Sequence, residues 1–336
     1  MAHWSASVLA DACKPGDWDG QPPAVASIRS SILVGSGTLA IRCAQLVSRM
    51  GHVVCAALCA DAIFRDWASR ANILCVDSVE ELSVLMNADP VDWIFSVGNP
   101  FILPPDVFAR VRQGAFNHQD GPLPRYAGAH SMSWARLAQE TDYAIGWYRI
   151  NDGVNRGELV VERQLSIAPT DTALTLNLKC HEAAVEGFRE LLAGLTNGEL
   201  HAGSQAPVDG SVSPRRRRPD AAGYLRWNRS AQDLSRITRA LNYGRYHSNP
   251  LCLPKVHLGD DVVAVRRLKV SAGRCGLPAG SLVEIHRSNW RVATGTEDVD
   301  VWFGSSDGLT LNARTLARQS ALNVGDRLPI LSDEEA

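Results

Sequence analysis

Short continuous apolar runs alternate with stretches in which apolar residues recur every third or fourth position, and this alternation organises the first half of the chain. From Ser31 an apolar run ends at the turn Gly35-Ser36-Gly37; a helix-period segment follows, Gly51 closes it, and a second apolar run begins. The same reading predicts a short helix over 62–69, a strand at Ile73–Val76, a helix from Val79 to Met86 and a buried strand at Trp93–Val97. Strands that alternate with helices imply an α/β, Rossmann-like domain whose parallel sheet receives ligands at the carboxyl ends of its strands.

Beyond Pro104 the pattern predicts a helix to Arg112, then a loop from Asn117 to Gly128, where two prolines and two glycines exclude regular structure. Its density of hydrogen-bonding side chains suits the rim of a site, since function concentrates on loops held by a rigid scaffold. A helix from His130 to Gln139 and strands at Tyr143–Ile150 and Leu159–Ile167 follow, the strands joined by a turn over 151–157. One long amphipathic helix then runs from Thr170 to Leu195, with Asp171 near its positive dipole end. Gly, Ser and Pro dominate from Thr196 to Ala222, a segment that carries Arg215 to Arg218 in succession. Ser230 has the place of a helix N-cap, and short strands with Gly turns run on to about Leu331. The expected organisation is an N-terminal extension over 1–30, an α/β domain over 31–205, an Arg/Pro linker over 206–222 and a small β-rich, barrel-like domain over 223–332.

Composition narrows the function classes. At 336 residues, 45% hydrophobic and 21% charged, the chain is long enough for two globular domains. Its 34 Lys+Arg against 36 Asp+Glu leave a formal charge of −2, so no global positive field holds nucleic acid by counterion release. No apolar run reaches the ~20 residues of a membrane span, and the start carries Asp, Pro and Gly where a signal peptide has its apolar stretch, so a cytoplasmic protein is expected. Cys43, Cys55, Cys59, Cys75, Cys180 and Cys275 sit mostly among Val, Ala and Leu, as reduced core cysteines do. Cys55 and Cys59 lack further ligands at zinc spacing, so no metal site is expected. The Gly35-Ser36-Gly37 turn lacks the third glycine of a dinucleotide fingerprint, and a tight strand-to-helix turn accounts for it.

Asn117 leads into Pro122-Leu123-Pro124-Arg125-Tyr126-Ala127-Gly128, followed by Ser133-Trp134-Ala135. In this run the chain resembles the folate-dependent formyltransferases, a family that includes the methionyl-tRNA formyltransferases and, more similar to this chain, the formylation domains of some nonribosomal peptide synthetases. Ile145-Gly146-Trp147 and the stretch from Asn151 to Glu158 match the family's second element. Upstream, Ser96 to Pro104 resembles the segment that lines its pteridine pocket, and the chain from Trp227 onward resembles its C-terminal barrel-like domain.

What the resemblance implies is an amine attacking the formyl carbon of 10-formyltetrahydrofolate or a related folate, with Asn, His and Asp sharing the stabilisation of the oxyanion and the transfer of the proton. Asn117 falls on the family Asn, but Gln119 falls on the His and Asn155 on the Asp, and neither amide titrates. Two readings stand side by side: a repurposed polar pair that still binds a ligand, and drift in a site that has lost formyl transfer. His118 either turns into the vacated place, with Asp120 or Asp152 as its carboxylate, or is a loop residue outside the chemistry. Expected folate contacts are Phe95, Val97, Gly98, Phe101, Ile102, Leu103, Asp152 and Gly153; expected substrate contacts are Asp120, Arg125, Tyr126 and Arg156, the last a carboxylate binder or a solvated turn residue. Trp134 and Trp147 are core residues or walls of the pocket, and the Arg215–Arg218 run is a solvated tether or a docking patch for a carrier. The acceptor expected is a small-molecule or carrier-bound amine of an amino-acid or peptide-type natural product; tRNA and membrane partners are not expected. An oxidoreductase has only the glycine turn in its support.

Overall fold

The computed structural model describes residues 28–150, 157–200, 217–244, 249, 251–259, 261–305 and 309–330. Within them the chain forms two compact units: the first gathers residues from 1–127, 143–165 and 179–211, the second residues from 128–142, 166–178 and 212–336.

The first unit is built on β1 (Ser30–Gly35), β2 (Val53–Cys59), β3 (Leu74–Val76), β4 (Trp93–Val97), β5 (Gly114–Gln119), β6 (Asp142–Arg149) and β7 (Glu158–Ser166), in the order β3-β2-β1-β4-β5-β6-β7. The first five run parallel and β6 runs antiparallel to β5, so the layered Rossmann-like expectation holds for the sheet. β1, β2 and β4 are apolar runs without alternation because both faces of the sheet are covered. One face meets α3 (Val79–Ala88) and α4 (Pro105–Ala109) in a cluster that includes Ile32, Val34, Leu58, Leu82, Ile94 and Val107. The other carries aromatic rings. Phe95 lies 6.0 Å from Phe116 and 4.9 Å, edge to face, from Phe188 on the long helix α6 (Ala173–Asn197). Trp147 joins this set at 4.8 Å from Phe188, and its indole donates to the Ala184 carbonyl at 3.1 Å.

The first helix, α1 (Gly37–Arg49), follows β1, and later helix starts follow their capping residues. Asp61 accepts from the Phe64 amide at the start of α2 (Ala62–Arg70), as Ser78 does from Glu81 at α3. Two expectations are corrected here. Residues 117–119 are strand, not loop: β5 continues through Gln119 because paired neighbours on β4 and β6 meet its polar residues. The helix after Pro104 ends at Ala109, short of Arg112.

The second unit is a five-stranded antiparallel sheet, β8 (Lys255–Leu258), β9 (Asp261–Val270), β10 (Leu282–Ile285), β11 (Trp290–Val292) and β12 (Val299–Gly304), in the order β10-β11-β12-β9-β8. It closes over Trp227, Trp290, Phe303 and Val301 with α7 (Ala231–Ala240) and α8 (Ala313–Gln319). Ser230 caps α7 as expected, accepting from the Asp233 amide. The short helix α5 (Ser131–Leu137) belongs to the same unit, where the Arg217 guanidinium lies 4.5 Å from the Trp134 ring. Cys43, Cys59 and Cys180 are buried free thiols, whereas Cys275 is exposed and Cys55 is disulfide-bonded, so these two depart from the expected reduced core set. Among the described residues no helix is long and apolar enough to cross a membrane.

Candidate active site

The site grows out of the carboxyl ends of β1, β4 and β5. Close approach comes first: a Cβ on Gly35 would lie 1.9 Å from the Val97 carbonyl oxygen, so only glycine lets β1 end this near β4. The Ser36 amide donates to that same oxygen at 3.1 Å, and its hydroxyl donates to the Gly98 carbonyl at 2.7 Å. The Gly35-Ser36-Gly37 turn thus serves strand packing. Gly98 takes a φ of +59°, which turns the chain away from the sheet and leaves its backbone exposed.

Register then sorts the polar residues of β5. Asn117 pairs with Ser96 on β4 and Tyr148 on β6, and Gln119 pairs with Gly146. Because side chains alternate, Asn117 and Gln119 share one face with Ser96, and His118 points to the other. The buried Ser96 hydroxyl donates to the Asn117 Oδ1 at 2.8 Å and accepts from the Asn99 Nδ2 at 3.2 Å. Asn99 is itself held by the Phe101 amide, which donates to its Oδ1 at 2.7 Å. With its carbonyl oxygen engaged, the Asn117 carboxamide is fixed in orientation and presents its NH2 as the donor.

Tyr148 covers the neighbouring position. Its ring folds over Gly146, where a Cβ would come within 2.5 Å of it, and a hydrogen bond to the Leu123 backbone ties it to the Pro122–Gly128 stretch. Burial pushes its phenol up to about 12, so it stays protonated. Ser96 and Asn99 lie in the Ser96–Pro104 segment that the motifs single out, though not as the residues that orient Asn117, and Tyr148 escapes a reading by motif. The one sequence signal for Tyr148 is the glycine two residues before it on the same strand face.

His118 does not occupy the Gln119 place. Its side chain is buried on the aromatic face, 5.2 Å from the Trp147 ring, with Nδ1 3.5 Å from the Asp120 carboxylate. Its Nε2 is buried with no hydrogen-bond partner. Burial pushes the imidazole below its ordinary range; the Asp120 carboxylate opposes this shift and His181 adds to it. Two ladder pairings flank it, Asn117 with Tyr148 and Gln119 with Gly146, so a local slip that exchanges the faces is not available.

The other singled-out residues divide. Phe95, Val97 and Leu103 are buried in the core, whereas Gly98 and Ile102 are exposed and Phe101 is half-buried. Asp120 remains partly exposed, and its carbonyl accepts from the Tyr143 hydroxyl at 2.6 Å. Arg125 is exposed, its guanidinium 5.3 Å from the ring of the half-buried Tyr126. Asp152, Gly153, Asn155 and Arg156 lie outside the described residues.

Residues 76–192 match the sequence model of a family described as formyl transferase. The structure is similar to WlaRD, a sugar 3N-formyl transferase solved in the presence of dTDP and 5-N-formyl-THF, at 13% identity and a TM-score of 0.61 over 82% of this chain and 98% of that one. It is also similar to an N-formyltransferase from Helicobacter canadensis in complex with folinic acid and dTDP-3-aminofucose, at 14% identity and a TM-score of 0.59 over 83% and 100%. HypX from Aquifex aeolicus, in complex with tetrahydrofolic acid, gives 14% identity and a TM-score of 0.64 over 89% of this chain, which spans 48% of that one. At these identities the structural likeness establishes the fold. The likeness in sequence to the formyl transferase family is thus carried by residues 76–192, and the likeness in fold extends beyond them.

Proposed function

We propose that the protein transfers a formyl group from a formylated tetrahydrofolate to the amine of a small molecule. The observation that carries this reading is the Asn117 carboxamide near the end of β5, its oxygen engaged by Ser96 so that its NH2 is left as the donor. The residues present fit a folate: a fixed amide donor for a carbonyl oxygen stands beside the exposed Gly98 backbone and the partly apolar edge of Phe101 and Ile102. When bound, the folate supplies the one-carbon unit on a nitrogen that leaves with a proton. Asn117 donates to the formyl oxygen as negative charge develops there, and its fixed orientation means that no reorganisation is needed at that moment. Gln119, on the same face, accepts a hydrogen bond from the attacking amine and aims its lone pair; it takes no proton. Support also comes from the relatives, two of them solved with formylated folates.

For the acceptor we favour an amine of an amino-acid or peptide-type intermediate, free or carrier-bound. The formal charge of −2 supports a small acceptor over tRNA. The competing acceptor is an amino sugar, such as the dTDP-3-aminofucose held by the Helicobacter canadensis relative. The test is a binding titration with tetrahydrofolate and its formyl derivatives, followed by label transfer to an aminoacyl phosphopantetheine and to a dTDP-amino sugar. Saturable folate binding and transfer to the first acceptor are expected, and Asn117→Ala should lower kcat by about 10²–10³ with folate affinity retained. Absence of folate binding overturns the reading.

A second reading, a formyl transferase fold that binds ligand without transfer, is favoured by Gln119 standing on the site face while His118 is buried on the other. General acid–base help is worth about 10²–10⁴-fold. On that reading the parent binds folate without turnover, and Gln119→His with Asn155→Asp creates transfer.

A further inference from the structure

Wholly within the second unit, a cavity of about 240 Å³ opens between α5, the segment 167–169 and α7. Three arginines line it: Arg136 from α5, and Arg236 and Arg239 from α7. The carboxylates in its wall are Glu140 and Asp233. Asp233 is already engaged, by Arg236 at 2.8 Å and by the Ser230 hydroxyl at 2.8 Å.

Arg136 is only 5% exposed. One Nη donates to the Pro169 carbonyl at 3.2 Å, while its Nε is buried with no hydrogen-bond partner. Arg239 donates to the Ser235 hydroxyl, and its Nε is likewise buried and without a partner. Burial holds both guanidinium groups below their ordinary range; the charge of Arg239 depresses Arg136 further, and Asp171 opposes that shift. Burying like charges near one another is costly unless an opposite charge joins them.

We propose that this cavity is a binding site for a small phosphate-bearing molecule, its phosphoryl oxygens held between Arg136 and Arg239. The two arginines line the cavity from different helices, α5 and α7. A phosphoryl group offers three oxygens in different directions to such a pair, whereas a planar carboxylate presents its two oxygens to one guanidinium fork. Volume sets the size: about 240 Å³ is room for roughly eight waters at about 30 Å³ each, enough for a phosphoryl group with a short carbon chain. Ile167 and Pro169 supply an apolar wall for that chain. The site stands independently of the formyl-transfer reading.

Titration of the full chain with inorganic phosphate and with glycerol 3-phosphate, against succinate and chloride at matched ionic strength, tests it. Saturable binding of both phosphate probes is expected, weakened about tenfold or more in Arg239→Gln. It should be unchanged in Arg267→Gln, whose guanidinium lies 4.8 Å from the Trp302 ring and does not line the cavity. Arg239→Lys, which keeps the charge and loses the fork, should fall between. A phosphate-dependent rise in Tm in the parent and not in Arg239→Gln gives a second readout. Equal affinity in parent and Arg239→Gln, succinate binding as tightly as the phosphate probes, or no saturation by either probe overturns the proposal.

Discussion

The donor geometry of Asn117 depends on one hydroxyl. Without the Ser96 Oγ, the carboxamide keeps its place on β5 but loses the contact that tells its oxygen from its nitrogen. Ser96→Ala therefore separates positioning from presence. It leaves the Asn117 oxygen without its donor, at a cost of about 1–3 kcal/mol where the group stays dry. The proposed formyl transfer should lose about tenfold in kcat, less than in Asn117→Ala, with little change in the KM for folate. A rise in KM together with the fall in kcat would point to a general loss of structure, and no fall in kcat would remove Ser96 from the account. Steady-state kinetics with a urea melt as control decides between them.

At the scale of elements, the approach of β1 to β4 is the most constrained feature of the sheet. Gly35→Ala places a methyl group against the Val97 carbonyl, a backbone atom that cannot rotate away. The variant should be destabilised by about 1–3 kcal/mol or more, seen as a lower urea midpoint, because the strands must separate to relieve the contact. Ser230→Ala, which removes only the cap of α7, should cost about 1 kcal/mol. The two differ in kind as well as size. Helix caps are local, and Ser78 and Ser230 can be read from the residues that follow them. Apolar strands are nearly as legible: Trp93–Val97 is bounded in the structure as its pattern predicts. The end of β5 is not, since Asn117, His118 and Gln119 have the composition of a loop and become strand only through partners 21 residues before Asn117 and 27 or more after Gln119, Ser96 and Gly146. The same tertiary pairing puts Asn117 and Gln119 on one face of the sheet and sends His118 to the opposite one. Motif spacing places Asn117 at the proposed site, but only the structure shows that Ser96 holds its oxygen and that Tyr148 pairs with it.

For the molecule as a whole, acid should be the decisive stress, because three histidines among the described residues favour their neutral forms in the folded chain. Burial lowers His52, where Arg29 adds to the shift and Asp92 opposes it; burial likewise lowers His118 and His181. His52 is built into the fold as a base: its Nδ1 accepts from the Arg29 amide at 3.3 Å, and Trp93 meets its ring edge at 4.9 Å. Protonation would place an N–H against that amide. In each case the unfolded chain, with its histidines near the ordinary value of about 6.5, binds a proton at a pH where the folded chain does not. Stability therefore rises with pH through this window, is fully present above it, and is lost as pH falls below about 6.5. Melts between pH 8 and pH 5 should show a nearly flat Tm down to about 6.5 and a decline beneath it. His118→Leu removes a titrating ring whose Nε2 has no partner, and so should reduce the slope of that decline while leaving the urea m-value unchanged. A Tm that rises on acidification, or a slope untouched by His118→Leu, would show that His118 is not held neutral by its burial.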